Sequence, residues 1–362
     1  MRKNEIFVGD NKTFFETKEV EGKLISFDNE NYYKISNNDA MRPFFMSIVS
    51  DSNHWMFISS NGGLSAGRKN SESSLFPYYT DDKITESAEI TGSKTILQIH
   101  KEDKTYLWEP FSNRFSGLYK IERNLYKNSL GNKVLFEEKN EDLGLTFRYQ
   151  WNSSNKFGFV KKSTLINNSA SAMEVTVLDG IQNILPYGVN TDLQNSRSNL
   201  VDAYKKNELE QEVGIGIYAL SAIIVDKAEP SEALKATMVW SAGIENAKYL
   251  VSSLQIENFR RGNPVEQEVD IKAEKGAYFV CADMILRPEV KNTWMIVANV
   301  NQTMVGISKV SQMIKNGLNL SALIQEDIEL GSKNLLELNA AADGLQLTAD
   351  KLVNTRHFAN TL

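Results

Sequence analysis

The feature that most constrains this chain is an alternation of apolar and polar residues with period two. Leu143, Leu145, Phe147, Tyr149 and Trp151 alternate with Gly144, Thr146, Arg148 and Gln150. Successive side chains of a strand point to opposite faces, so this pattern specifies a strand with one buried face. Phe157 to Ile166 reads as the next strand, and Met173, Val175 and Val177 alternate with Glu174 and Thr176. Between them, Asn167-Asn168-Ser169-Ala170-Ser171 has turn chemistry. Similar runs recur at Lys23–Phe27, Phe44–Val49, Trp55–Ser59, Lys94–His100, Tyr119–Asn124, Gly214–Val225, Ala233–Trp240, Tyr278–Leu286 and Thr293–Val300. Roughly eighteen strands are expected, at the spacing typical of sandwiches. Amphipathic helices do not alternate with them, which argues against a parallel α/β sheet. So many antiparallel strands should stack as two sheets around a shared interior. The expected fold class is mainly β: a large antiparallel β-super-sandwich.

Two segments break the pattern. Asn190–Glu212 is polar and charged and reads as a long loop holding one short helix over Asn199–Tyr204. After Asn301 the apolar residues fall three and four apart. Val310, Met313, Ile314 and Leu318, and later Leu335, Leu336 and Leu338, fit helix faces. Asp343-Gly344 is a stop between helices, and Leu347–Leu362 is amphipathic without a C-terminal cap signal. The expected organisation is a sandwich over 1–304 and a helical linker over 305–362.

The charges exclude some functions. The net charge is −6 with both signs interspersed, and no basic block could follow a phosphate backbone, so no nucleic-acid partner is expected. Arg260-Arg261 and Lys161-Lys162 read as solvated strand ends. The one cysteine, Cys281, lies in an apolar run and reads as a buried structural thiol. The N-terminus lacks a signal-peptide core, and no window reaches the ~18 apolar residues of a membrane span. A cytoplasmic location without a membrane partner is the expectation.

No chemical signature stands out. His54, His100 and His357 are scattered, so no metal site is expected. Gly214-Ile215-Gly216-Ile217-Tyr218-Ala219 matches G-x-G-x-x-A, but strand-like residues follow it where a dinucleotide site needs a helix. No cofactor is expected. Asp81-Asp82, Glu109 and Asp179 could supply paired carboxylates for sugar chemistry, or be ordinary members of the 46 acidic residues. Among five tryptophans, Trp151 lies on the apolar face of its strand and reads as core. Trp108, in Trp108-Glu109-Pro110-Phe111 at a strand end, is the better candidate for a surface platform stacking on sugar. Asn61-Gly62-Gly63-Leu64-Ser65-Ala66-Gly67-Arg68 is a glycine-rich hairpin turn that permits close backbone approach.

Three stretches together resemble the N-terminal region of the cellobiose phosphorylase and cyclic β-1,2-glucan synthase group, within glycoside hydrolase family 94. The first is Trp55-Met56-Phe57-Ile58-Ser59-Ser60-Asn61-Gly62-Gly63-Leu64-Ser65, running to Pro77-Tyr78-Tyr79. The second is the strand pair from Phe157 to Gly180, and the third is the helical tail Ala342–Leu362. The resemblance implies a galactose mutarotase-like super-sandwich, then linker helices, then an (α/α)6 barrel that carries the catalytic acid and the phosphate site. It implies no catalytic residue in this chain, which would stop where the barrel begins. Asn61, Gly62, Gly63, Arg68 and Trp108 are the expected substrate-binding residues. The expected partners are a carbohydrate (an oligosaccharide or β-glucan), the protein's own catalytic barrel, and a second copy in a homodimer. One alternative is a stand-alone carbohydrate-binding or mutarotase-like sandwich, which would need a histidine, His54 or His100, beside a glutamate in one cleft. Another is a purely structural interaction domain.

Overall fold

The computed structural model describes residues 6–14, 18–196, 198–222 and 234–342. The Asp343-Gly344 stop, the Leu347–Leu362 helix, His357 and the end of the Gly214–Val225 run lie outside these residues. The chain opens with β1 (Phe7–Val8), β2 (Asn11–Lys12), β3 (Glu21–Phe27) and β4 (Glu30–Ser36). Next are β5 (Phe45–Ile48), β6 (His54–Ser59), β7 (Leu64–Arg68), β8 (Ser74–Phe76) and α1 (Asp81–Glu86). The middle of the chain gives β9 (Gly92–Lys101), β10 (Lys104–Trp108), β11 (Ile121–Asn128), β12 (Val134–Asn140), β13 (Leu145–Ser154), β14 (Gly158–Asn167) and β15 (Met173–Ile184). α2 (Thr191–Ser196) and α3 (Ser198–Asp202) lead into β16 (Lys205–Glu210), β17 (Ile215–Leu220), β18 (Lys235–Ala242) and β19 (Lys248–Leu250). α4 (Ile256–Arg260) precedes β20 (Asp270–Lys272), β21 (Gly276–Leu286) and β22 (Lys291–Thr303), and α5 (Met304–Lys315) and α6 (Leu320–Ala341) follow.

The strands form the mainly β, antiparallel super-sandwich that the alternation calls for. An 11-stranded sheet runs β20-β16-β17-β18-β22-β14-β13-β12-β11-β4-β3. Its inner face packs against a five-stranded sheet, β10-β9-β15-β21-β19, and a four-stranded sheet, β5-β6-β7-β8. Leu145, Phe147, Tyr149 and Trp151 of β13 all point into this shared core, as their spacing requires. Part of the outer face of the large sheet is also buried. Phe157, Val160, Trp240, Met295 and Val297 meet Ile307 of α5 and Leu320, Ile324 and Ile328 of α6. The last three are four residues apart, one stripe of a helix. Thr303 caps α5 by accepting from the Gly306 N–H, and Asn319 caps α6 by accepting from that of Ala322. Ser154 and the Lys156 N–H donate to Asp327, and Asn334 donates to Asp51 (2.8 Å), fixing α6 along the sheet.

Two expectations need correction. Asn190–Glu212 is not one loop with one helix: it holds α2, α3 and β16. Leu185, Val189, Val201 and Leu220 form a small apolar cluster that orders it. Lys161 is not a solvated strand end either. It is fully buried on β14, 2.5 Å from the equally buried Asp179 of β15. Asp179 also accepts from Thr95 (2.5 Å), Ser163 (2.9 Å) and the Trp294 indole (2.8 Å). Burial pushes the Lys161 pKa down, and Asp179 acts in the opposite direction. Removing one partner strands the other charge. Asp179→Ala is therefore expected to cost about 3–5 kcal/mol in urea unfolding, and the double replacement Lys161→Met/Asp179→Leu clearly less. An equal loss in both variants would show that the pair does not act as a unit.

Candidate functional site

A cavity of about 390 Å³ opens where the two smaller sheets and the 11-stranded sheet meet. Its floor is aromatic. Phe136 of β12 and Tyr149 of β13 stack at 4.7 Å and 10° between planes, and Phe111 stands edge-on to Tyr149 at 5.1 Å. Its walls are polar: Asn61, Thr85, Glu89, Lys94, Thr95, Ser112, Asn113 and Arg123 line it. The Tyr149 ring is buried in this floor. Burial raises the pKa of this phenol, so it remains a neutral donor.

Two charged networks hold the walls. Arg260 of α4 grips Glu109 through two nitrogens (2.7 and 2.8 Å), and Lys94 of β9 donates to the same carboxylate (2.9 Å). Lys94 also bonds Glu89, which accepts from the Ser112 hydroxyl and the Asn113 N–H (both 3.0 Å). The second network centres on Glu138. It accepts from the Trp108 indole, the Phe111 N–H and the Arg123 guanidinium, each at 2.7 Å. Phe111 holds φ at +65°, a left-handed conformation that is costly for a bulky side chain. The Glu138 bond fixes its backbone there and so aims its ring into the cavity floor.

The residues expected from the sequence are divided by the structure. Asn61 and Gly62 line the cavity. Asn61 bridges the Thr85 carbonyl (2.8 Å) and the Gly63 N–H (3.3 Å), tying the β6–β7 turn to α1. Gly62 has φ +96°, and a Cβ there would lie 2.8 Å from the Tyr149 hydroxyl. Gly63 packs under α1, where a Cβ would meet the Ile84 carbonyl at 1.9 Å. Arg68 lies away from the cavity, bonded to Asn53 (2.7 Å) and Asn299 (3.2 Å). Trp108 is 2% exposed and is no surface platform: its indole N–H is spent on Glu138 inside the protein.

The other tryptophan of interest, Trp55, belongs to a row of rings on the four-stranded sheet. Trp55 contacts Tyr78 at 5.4 Å and Phe57 at 5.9 Å, and Phe57 stacks on Phe45 at 5.4 Å. Arg260 is also no solvated strand end, because it lies on a helix and neutralises Glu109. Glu109 and Asp179 are consumed by ion pairs, whereas Asp81 and Asp82 open α1 in solvent. His54 and His100 do not share a cleft. His54 sits on β6 against Phe159, and burial pushes its pKa down to about 3. His100 sits on β9, held by Thr105 (3.2 Å) and Thr176 (2.9 Å). Burial likewise pushes the Cys281 thiol up to about 11, as suits a structural cysteine. The residues after Gly214 form β17 and not a helix. Among the described residues no cluster of His, Cys, Asp or Glu could hold a metal, and no helix is long and apolar enough to cross a membrane.

Sequence reasoning missed Lys94, Glu89, Arg123, Phe111 and Tyr149 as cavity residues. Only Tyr149 carried a usable signal, its place in the inward-facing row of β13.

The fold is thus a two-layer antiparallel super-sandwich with an aromatic-floored, polar-walled cavity at its edge. No protein-family model matches the chain, and no curated protein does. Among solved structures, a bacterial glucoamylase complexed with acarbose aligns over 80% of this chain and 36% of its own, at 9% identity and TM-score 0.45. A GalM/aldose epimerase homologue from C. elegans aligns over 72% of this chain and 100% of its own, at 9% identity and TM-score 0.39. A protein assigned as a kojibiose phosphorylase, from the human microbiome, aligns over 87% of this chain and 39% of its own, at 10% identity and TM-score 0.38. The chain therefore spans little more than a third of the glucoamylase and phosphorylase structures it is similar to.

The cavity network has a pH signature. Burial alone would raise the Glu109 pKa, but Arg260 and Lys94 outweigh it and hold the carboxyl below its ordinary 4.5. A depressed pKa contributes stability that is complete above that ordinary value and is lost as pH falls through the folded one. The urea midpoint should therefore drop on acidification below about pH 4.5. Glu109→Gln should start about 3 kcal/mol lower at pH 7 and show a flatter acid slope. An unchanged slope would remove Glu109 from the acid response.

Proposed function

We propose that this chain is a carbohydrate-binding sandwich, the non-catalytic part of a glycoside phosphorylase- or hydrolase-like protein, which holds sugar beside a catalytic barrel. The cavity carries this reading. A pyranose has apolar C–H faces and a rim of hydroxyls, and the cavity pairs a stacked aromatic floor with amide, hydroxyl and charged walls. Its size lies within the range of about 300–1,000 Å³ common to small-molecule sites. The assignment to a phosphorylase-like parent rests on the resemblance of Trp55–Ser65 and Phe157–Gly180, the first of which supplies Asn61 and Gly62 to the cavity.

Glu89 in the cavity wall and Glu109, which shares its Lys94 partner, suit binding better than proton transfer. Burial would raise the Glu89 pKa, but Lys94, Asn113 and Ser112 together hold it low, as Arg260 and Lys94 hold that of Glu109. A general acid must be protonated at working pH, and these two groups remain anions that accept hydrogen bonds.

Isothermal titration with glucose, cellobiose and sophorose tests the reading. Binding of at least one is expected, weakened roughly 2–10-fold by Tyr149→Phe, which removes one hydroxyl and keeps the ring. No binding of any of the three, or a Tyr149→Phe protein indistinguishable from wild type, would refute it. Glucose 1-phosphate should not form when the chain is incubated with cellobiose and phosphate, and its steady release would overturn the non-catalytic assignment.

A further inference from the structure

Glu89, whose side chain is 46% exposed, and Asn113 are part of the cavity wall. These two residues also line a second, shallower depression of about 530 Å³ on the far side. That depression is formed by Gln182, Ser253, Ile256, Glu257, Arg260 and Arg114. The two spaces therefore share one low ridge, a single carboxylate and a single amide.

The ridge and both flanks are mechanically one unit. Glu89 is held by Lys94, Ser112 and the Asn113 N–H, and Arg123 fixes the Asn113 side chain through its amide oxygen (2.9 Å). Gln182, in the second depression, donates to the Glu89 carbonyl (2.7 Å). Arg260, also there, reaches Lys94 through their common partner Glu109. Arg114 and Arg260 both meet Glu257, at 3.2 and 2.5 Å, and give the outer rim fixed donors and an acceptor. A ligand passing from the aromatic floor over Glu89 meets hydrogen-bonding groups already in place, which lowers the ordering cost of binding.

We infer that the two depressions are adjoining subsites for one oligosaccharide: the first takes a ring on the aromatic floor, and the second takes the following units over the Glu89–Asn113 ridge. A ligand of one unit would use only the first. This rests on the carbohydrate reading above and extends it to the length of the ligand.

The test is a series of glucose, cellobiose and cellotriose, alongside sophorose and sophorotriose, titrated into the full chain by calorimetry. At least one trisaccharide is expected to bind about tenfold more tightly than glucose. Arg114→Ala removes a half-exposed side chain from the outer rim, so the fold should tolerate it. It is expected to reduce the ratio of trisaccharide to glucose affinity severalfold. If glucose and the trisaccharides bind equally, the carbohydrate reading stands and the second subsite falls. A length dependence that Arg114→Ala does not reduce also overturns the assignment of the second depression. If none of the sugars binds, both readings fall.

Discussion

The interaction on which the rest depends is the ion pair between Lys161 and Asp179. It joins β14 of the large sheet to β15 of the five-stranded sheet inside the core, with both side chains at 0% exposure. Two bare charges in such a place would be prohibitive, so every neighbour is committed to them. Thr95, Ser163, Trp294 and Lys161 all donate to one carboxylate, and Lys161 gives a further bond to the Gly180 carbonyl (3.1 Å). Hydrophobic burial is non-directional and would allow the layers to slide. A saturated polar knot does not, because each donor is lost by a shift of an ångström or two. The cavity inherits this rigidity: Thr95 is part of its wall, and the Lys161 ammonium lies 5.7 Å from the Tyr149 ring in its floor.

The second fixed point is Glu138, which holds the chain after β10. Three donors converge on it, and one of them is the N–H of Phe111 in its strained left-handed conformation. A bulky residue keeps such a backbone only when its surroundings over-determine it. Here the result is a third aromatic ring in the cavity floor, delivered by a loop and braced by a strand. The scaffold thus supplies Phe136 and Tyr149 from regular strands and adds Phe111 and the ridge residues Ser112 and Asn113 from the loop.

This division explains what the sequence could reveal. Period-two alternation identified β13, β14 and β15 and the faces they bury, because each depends only on neighbouring residues. The same parity could have placed Lys161, which shares the inward face of β14 with Phe159 and Leu165. Yet a lysine beside a lysine resembles surface, and its partner lies 18 residues away on another sheet. Trp108 failed for a related reason. It does sit at the end of a strand, but the carboxylate that draws it inward comes from β12, 30 residues on. Asn61 and Gly62 were legible through turn chemistry, whereas Lys94, Glu89 and Arg123 acquire their roles only from non-local pairings that one sequence does not display.

The charge arrangement also bears on what the cavity is for. Arg260, Glu109, Lys94 and Glu89 form a chain of alternating sign that runs from α4 to the cavity rim. Each carboxylate has cationic partners close enough to overcome the burial that would otherwise protonate it. Catalytic pairs work by the opposite device, keeping one carboxyl neutral by isolating it in an apolar setting. A row of compensated charges instead offers fixed acceptors and donors at positions that change little with pH above the carboxylate range. Under the proposed reading, a neutral, hydroxyl-rich ligand would meet these groups as fixed hydrogen-bond partners. The floor rings supply the apolar surface that the charges cannot, and the buried ion pair lies directly behind them, with the Lys161 ammonium 5.7 Å from the Tyr149 ring.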